Sequence, residues 1–319
     1  MILKHCLFAL GLLTAAASTF AQGYPNRAVT LVVGFTPGGG SDTVARVIAP
    51  ALSAELKVPV LVENKVGAGG AIATDFIAKS KPDGYTMLVA SPGAYTIAVS
   101  LRKLPYDPIK DFTPIAQLTS YPNILVVNAG SGINSVADLV KQAKANPGKL
   151  NFASTGAGTT THLAFAHMAM MTGIDLGHVP YKGNPQAMND LLGGQVQLFI
   201  GDPPPLLGHI ESGRLKALAV TTRNRFKQFP NIPSMSEAGV AGYDVPFWHG
   251  IMAPQGLPAD VAARWDEVLA RVMARKDVIE KIEAAGMGVE YRPGAQLARQ
   301  IVDETARWAH VIKSNNIKE

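Results

Sequence analysis

Two glycine-rich stretches concentrate the residue types that could hold a small anion. The first runs Thr36-Pro37-Gly38-Gly39-Gly40-Ser41-Asp42-Thr43, the second Ser154-Thr155-Gly156-Ala157-Gly158-Thr159-Thr160-Thr161-His162. Glycine lets backbone approach a ligand closely, while Ser, Thr and Asp either cap a following helix or offer side-chain hydrogen bonds. A helix starting at each stretch exposes unpaired N–H groups and a positive dipole end, a seat for an anion. Alone, each stretch reads as an ordinary strand–helix turn. As a pair, one at the head of each half of the chain, they point to an anion clamped between them. Neither carries an arginine fork, which favours a carboxylate over phosphate or nucleotide.

Catalytic templates fail on inspection. No G-x-x-x-x-G-K-[ST], G-x-S-x-G or H-E-x-x-H occurs, and neither Val66-Gly67-Ala68-Gly69-Gly70 nor Gly156-Ala157-Gly158 completes G-x-G-x-x-G. His162 and His167 are five apart and fall on different helix faces, so no metal site is expected, nor any cofactor. Asp42 reads as an N-cap before a base. Asp202, ahead of Pro203-Pro204-Pro205, serves equally as cap of the next helix or as contact to a polar ligand group. Trp248 reads as core, with a place in the cleft as the alternative. Tyr121, Tyr181 and Lys182 admit both readings.

The elements that must position these residues alternate in type. Short apolar runs at 28–35, 58–62 and 85–90 predict strands, with helices over 41–56 and 70–78 between them. Runs at 115–117 and 124–128 predict strands near a crossover. The pattern then restarts, with helices at 135–145, 159–171 and 187–192 and strands at 150–153, 177–181, 196–200 and 215–221. Amphipathic helices are predicted over 259–275 and 295–313. Such alternation predicts an α/β protein with parallel or mixed sheets in two lobes, and a ligand cleft at the carboxyl ends of the strands.

The chain has 319 residues, enough for two domains, and its 47% apolar and 17% charged composition excludes a disordered chain. A net charge of +5 is spread without a basic run, so nucleic acid is not an expected partner. Lys4, the apolar stretch 6–17 and Thr19-Phe20-Ala21 form an export signal cleaved after Ala21, leaving no membrane anchor. Cleavage removes Cys6, the one cysteine, and leaves a mature chain without thiols.

An ordered set of motifs resembles a known family. Tyr24-Pro25-Asn26-Arg27-Ala28-Val29 leads into the loop 35–42. Val62-Glu63-Asn64-Lys65, Gly67-Ala68-Gly69-Gly70 and Pro82-Asp83-Gly84-Tyr85-Thr86 come next. Pro180-Tyr181-Lys182-Gly183 and Gly213-Arg214-Leu215-Lys216-Ala217-Leu218-Ala219 complete the set. Over essentially the whole mature chain this resembles the Bug-type solute receptors of tripartite tricarboxylate transporters. The resemblance implies a periplasmic, monomeric Venus flytrap of the type II-like periplasmic-binding-protein fold. It implies lobe 1 over 24–124 and 248–319, and lobe 2 over 125–247. The implied function is capture of a small carboxylate (di- or tricarboxylate, aromatic carboxylate or acidic amino acid) for delivery to membrane permease subunits.

By motif, the ligand's carboxylate is gripped by Phe35, Gly38, Gly39, Ser41 and Asp42 of the first loop. The second loop supplies Ser154, Thr155, Gly158, Thr159, Thr160 and His162, and Ser91, Tyr181 and Asp202 add contacts. Two departures from the family stand out. Ile200-Gly201-Asp202 replaces the usual Phe-Asp-Asn, and Phe165-Ala166 replaces Gly-Glu. Ligand identity therefore does not transfer from a relative, and Asp42 or Asp202 could read an ammonium. The rival readings are an exported hydrolase or transferase using His162 with Ser154 or Ser41, and a ligand sensor for a signalling partner.

Overall fold

The computed structural model describes residues 23–314 and 317, so the export signal lies outside the described residues. The chain builds two α/β bodies. In the first, β1 (Val29–Val33) is followed by α1 (Gly40–Leu56), β2 (Val60–Asn64), α2 (Ala71–Ala78) and β3 (Thr86–Ala90). A π-helical turn, Gly93–Ile97, runs into α3 (Ala98–Leu101) and then β4 (Phe112–Pro122). The second body holds β5 (Ile124–Asn128), α4 (Val136–Ala145), β6 (Asn151–Ser154), α5 (Thr160–Thr172) and β7 (Gly177–Pro180). It closes with α6 (Asn184–Leu192), β8 (Leu198–Gly201), α7 (Pro203–Glu211) and β9 (Leu215–Val220). The chain then returns to the first body through β10 (Pro246–Pro254), α8 (Ala259–Met273), α9 (Lys276–Ala284), β11 (Gly288–Pro293) and α10 (Gly294–Ser314).

The first sheet has the order β11-β4-β10-β3-β1-β2 and the second β7-β6-β8-β5-β9. Both are mixed. The β-branched run of β1 is almost wholly buried and pairs in parallel with β2 and β3. A strand covered on both faces by crossover helices has no need of alternation, which is why the run is apolar but for Thr30. β10 then joins antiparallel between β3 and β4. In the second sheet β6 pairs in parallel with β7 and β8, and β5 runs antiparallel to β8 and β9.

The crossings between the sheets are tied together. Asn123 alone separates β4 from β5. Its N–H donates to Thr221 Oγ1 at 2.9 Å, the Thr221 N–H returns to the Asn123 carbonyl at 3.0 Å, and the Val245 N–H donates to the Thr221 carbonyl at 2.8 Å. The two connecting segments thus form one hydrogen-bonded band.

The structure departs from the sequence reading mainly in the strands around this band. Only 115–117 of the eleven-residue β4 reads as strand from sequence, and β10 and β11 do not read at all. Gln117, Thr119 and His249 are polar yet almost fully buried there. β10 also carries register shifts at His249/Gly250 and Ile251/Met252, which break an alternating pattern. The helix read over 259–275 ends at Met273, and a separate helix, α9, begins at Lys276. Among the described residues no helix is long and apolar enough to cross a membrane.

Candidate ligand site between the two sheets

The two glycine-rich loops have nearly the same backbone. Gly38 (φ +85°) and Gly158 (φ +72°) each stand two residues before a helix, in a left-handed conformation that disfavours side chains. Gly39 (φ −78°, ψ 172°) and Thr159 (φ −84°, ψ 166°) follow as extended N-caps. What differs is how each helix terminus is satisfied.

In the second loop Thr159 caps its own helix by accepting from the His162 N–H, and it donates to the Gly156 carbonyl at 2.7 Å. Thr161 Oγ1 lies 2.9 Å from Thr159 Oγ1 and accepts from the Thr155 N–H at 3.0 Å, so the loop is braced internally. The first loop has no side-chain cap of its own. Its cap comes from the other sheet: the Gly40 N–H donates to Asp202 Oδ2 at 3.0 Å. A Cβ on Gly40 would lie 2.9 Å from that oxygen, and one on Gly39 would lie 2.9 Å from Asn184 Nδ2. The glycines at these positions let the second body approach the first.

Asp202 therefore does not use its side chain to cap the helix that follows it; α7 has no side-chain cap and begins on prolines, whose missing N–H is no loss there. Burial pushes the Asp202 carboxyl above the usual range, against the lowering effect of its bonds from Gly40, Tyr121 and Asn184. Tyr121 Oη lies 3.4 Å from Asp202 Oδ1 and 3.0 Å from His249 Nε2, and His249 Nδ1 lies 3.1 Å from Thr119 Oγ1. Burial lowers the His249 pKa to about 3, so the ring is neutral.

Between the loops lies a small cavity of about 30 Å³. Of the residues anticipated from sequence, Phe35, Gly39, Ser41, Ser91, Thr155, Thr160 and Asp202 line it. The termini of α1 and α5 both open onto it, so two positive dipole ends and several hydroxyls converge without a lysine or arginine.

The other anticipated residues hold the walls in place. Asp42 is buried and accepts from the Gly38 N–H at 3.0 Å, Arg46 Nε at 2.9 Å and Asn64 Nδ2 at 2.9 Å. Burial raises its pKa, but the bonds from Arg46, Gly38 and Asn64 outweigh this and hold it below the usual range. Both its oxygens are engaged within its own body. Gly38 and Gly158 set the turns, and Thr159 caps α5. Tyr181 Oη donates to Asp190 Oδ2 at 2.6 Å. Trp248 is buried, with Nε1 donating to Glu304 at 3.0 Å, away from the cavity.

His162 and Ser154 do not pair. His162 Nδ1 accepts from the Gly158 N–H at 3.3 Å, and its ring stacks on His178 with centroids 4.1 Å apart. Burial, then the neighbouring His178, lowers its pKa to about 4. Ser154 Oγ instead meets His178 Nε2 at 2.7 Å and has no exposure. A nucleophile must reach its substrate, and this hydroxyl does not reach the cavity. Among the described residues no group of three or more His, Cys, Asp or Glu is placed to hold a metal ion.

Gly40 and Thr161 fall inside the two loop motifs without being singled out, Tyr121 is open from sequence, and Asn184, Phe247 and His249 are not selected by it; all six line the cavity. Asn184 follows the Pro180-Tyr181-Lys182-Gly183 motif directly, so the motif itself was a signal for it. Phe247 and His249 sit on β10, which has no readable pattern.

Two mixed sheets joined by paired crossings, with facing helix termini between them, define a periplasmic-binding-protein fold. The chain belongs to the tripartite tricarboxylate transporter family of receptors, whose profile matches residues 44–317. It is 36% identical to Protein BugT of Bordetella pertussis over 95% of this chain and 94% of that protein. A protein of R. palustris solved with adipate superposes with a TM-score of 0.89 at 34% identity, covering 92% of this chain and 99% of that one. MatC from Rhodopseudomonas palustris, solved with bound malate, gives 0.86 at 32% identity over 91% and 100%. Family members are periplasmic binding receptors.

Proposed function

We propose that this chain captures a small carboxylate in the cavity between its two sheets and presents it, unaltered, to the membrane permease of a tripartite transporter. The observation that carries the reading is the convergence of the α1 and α5 termini, with the Ser41, Ser91 and Thr160 hydroxyls, on a cavity without cationic side chains. Adipate and malate in the two relatives support the ligand class. The body built on the first sheet, β1–β4 with β10 and β11, acts as one lobe and the body built on β5–β9 as the other, hinged at the band around Asn123 and Thr221. Ligand binding shifts an open–closed equilibrium, and the closed face is what the permease recognises. The receptor acts as a monomer in the periplasm after cleavage following Ala21.

Thermal unfolding of protein purified from the periplasm tests this, against malate, adipate, aromatic carboxylates and amino carboxylates. A ligand at a hundred times its Kd that binds only the folded state stabilises by about 2.7 kcal/mol. For a chain of this size the midpoint rises by roughly 4 °C. The shift is expected with one chemical subset, with the ligand recovered intact and the effect lost in Thr160→Ala. No shift across the panel, in protein free of carried-over ligand, overturns the reading.

A further inference from the structure

We infer that Asp202 makes this a receptor for carboxylates that also carry an ammonium group, and that it turns away ligands with a second carboxylate. The inference rests on the carboxylate reading above and narrows it.

Asp202 is the one acidic side chain in the cavity wall, and no lysine or arginine stands with it. Its Oδ2 already occupies the α1 terminus, 3.0 Å from the Gly40 N–H. The closeness of that contact, with a Gly40 Cβ falling 2.9 Å from the same oxygen, leaves no room for a ligand carboxylate at this seat. The seat that stays open is the first turn of α5, beside the Thr160, Ser41 and Ser91 hydroxyls.

Asp202 accepts from Gly40, Tyr121 and Asn184, all neutral donors, and no cation in the wall compensates its charge. Asp202 Oδ1 has a long 3.4 Å contact from Tyr121 Oη. That phenol has a single proton, which His249 Nε2 at 3.0 Å also draws on whenever that nitrogen is the unprotonated one. Asn184 is 5% exposed, lines the same cavity, and its Oδ1 has no hydrogen-bond partner. A buried acceptor without a donor is costly, and a desolvated carboxylate facing a second carboxylate costs more. An ammonium group brings three donors and the compensating charge to these two acceptors. A ligand with one carboxylate at α5 and an ammonium at Asp202 thus supplies the missing countercharge and a donor for Asn184 Oδ1, whereas a dicarboxylate sets a second negative charge against Asp202.

The test is calorimetric titration of protein purified from the periplasm with matched pairs. β-Alanine is compared with succinate, γ-aminobutyrate with glutarate, and δ-aminovalerate with adipate; in each pair one carboxylate is replaced by an ammonium. The expected result is that the amino carboxylate of at least one pair binds tenfold or more tighter than its dicarboxylate, and that Asp202→Asn removes or reverses the preference. Equal or tighter dicarboxylate binding by the natural protein overturns the inference without recourse to any variant, and leaves the carboxylate reading standing. A preference that survives Asp202→Asn, in protein with unchanged circular dichroism, also overturns it. Failure of every carboxylate to bind removes the broader reading and this one together.

Discussion

The loops that open α1 and α5 share a left-handed glycine, an extended N-cap and a helix whose first N–H groups face the same cavity. One finishes itself and the other does not. Thr159, Thr161 and Thr155 close the second loop with their own hydroxyls. The first loop has glycine at the N-cap, and its terminus is completed by Asp202 from the opposite sheet. A terminus completed locally keeps its geometry whether or not the two bodies are together. A terminus completed across the cleft is whole only when they meet. The asymmetry couples the local chemistry of a helix cap to the relative position of two bodies, the coordinate a flytrap must control.

The largest expected effect comes from spoiling that cross-cleft contact. In Gly40→Ala the new methyl meets Asp202 Oδ2 at 2.9 Å and His249 Cε1 at 3.1 Å. Neither neighbour is free to retreat, since one is held by the α1 terminus and the other lies buried between Thr119 and Tyr121. Overpacking of this kind costs about 1–3 kcal/mol, and because it acts on the closed form it appears as roughly tenfold to hundredfold weaker ligand binding. Calorimetric titration measures it. Affinity unchanged in Gly40→Ala breaks the claim that this loop is completed from across the cleft.

The same asymmetry explains what the sequence could and could not convey. The glycines, hydroxyls and β-branched runs that make each loop are local, so the loops, their helices and the two-body α/β plan are legible. The completion of α1 by Asp202 joins residues far apart in the chain, and no local pattern encodes it; the sequence supports Asp202 equally well as cap of the adjacent α7. Tyr121 and His249 stayed hidden for another reason. They lie on central strands whose buried polar residues and register shifts defeat an apolar-run reading. Asp42 illustrates the converse. Its acidic type suggested ligand contact, but its neighbours Gly38, Arg46 and Asn64 use its oxygens within the loop.

Both loops respond to acid, the first through buried His249 beside Gly40, lowered to about 3, and through Asp202, the second through a histidine pair. Beside the second loop stand His162 and His178, stacked and both held below the usual histidine range, His162 at about 4. A histidine kept neutral by folding binds fewer protons in the native than in the unfolded chain. Stability therefore rises with pH between about 4 and the unfolded value near 6.5, and is lost as pH falls through that window. For His162 the loss reaches about 2 kcal/mol at pH 5. Asp202 has the opposite sign: its raised pKa makes the folded chain the stronger proton binder, so what it contributes is present at low pH and fades as pH rises past the ordinary carboxyl value. On account of His162 the unfolding midpoint is expected to fall by about 3 °C from pH 7 to pH 5. His162→Gln is expected to flatten that slope. An equal slope in the variant breaks the assignment to the second loop.

The smallest effects sharpen the comparison most, because they concern the same position in the two helices. Thr159→Ala removes the self-made cap of α5 and its bond to the Gly156 carbonyl. Loss of such a cap costs about 1 kcal/mol. The corresponding change in the first loop is already present, since Gly39 has no side chain to lose, and Ser41 makes no cap bond there. Ser41→Ala is therefore expected to leave the unliganded protein within about 0.5 kcal/mol of its natural stability while weakening ligand binding through the lost hydroxyl. Urea unfolding of the two variants, with and without ligand, separates these outcomes. If Ser41→Ala destabilises the unliganded chain as much as Thr159→Ala does, both loops are self-capped in solution, and Asp202 is relieved of the role the geometry gives it. If the costs differ as expected, the first helix terminus has been kept free of local partners, and the free energy that a local cap would have supplied is available only on closure.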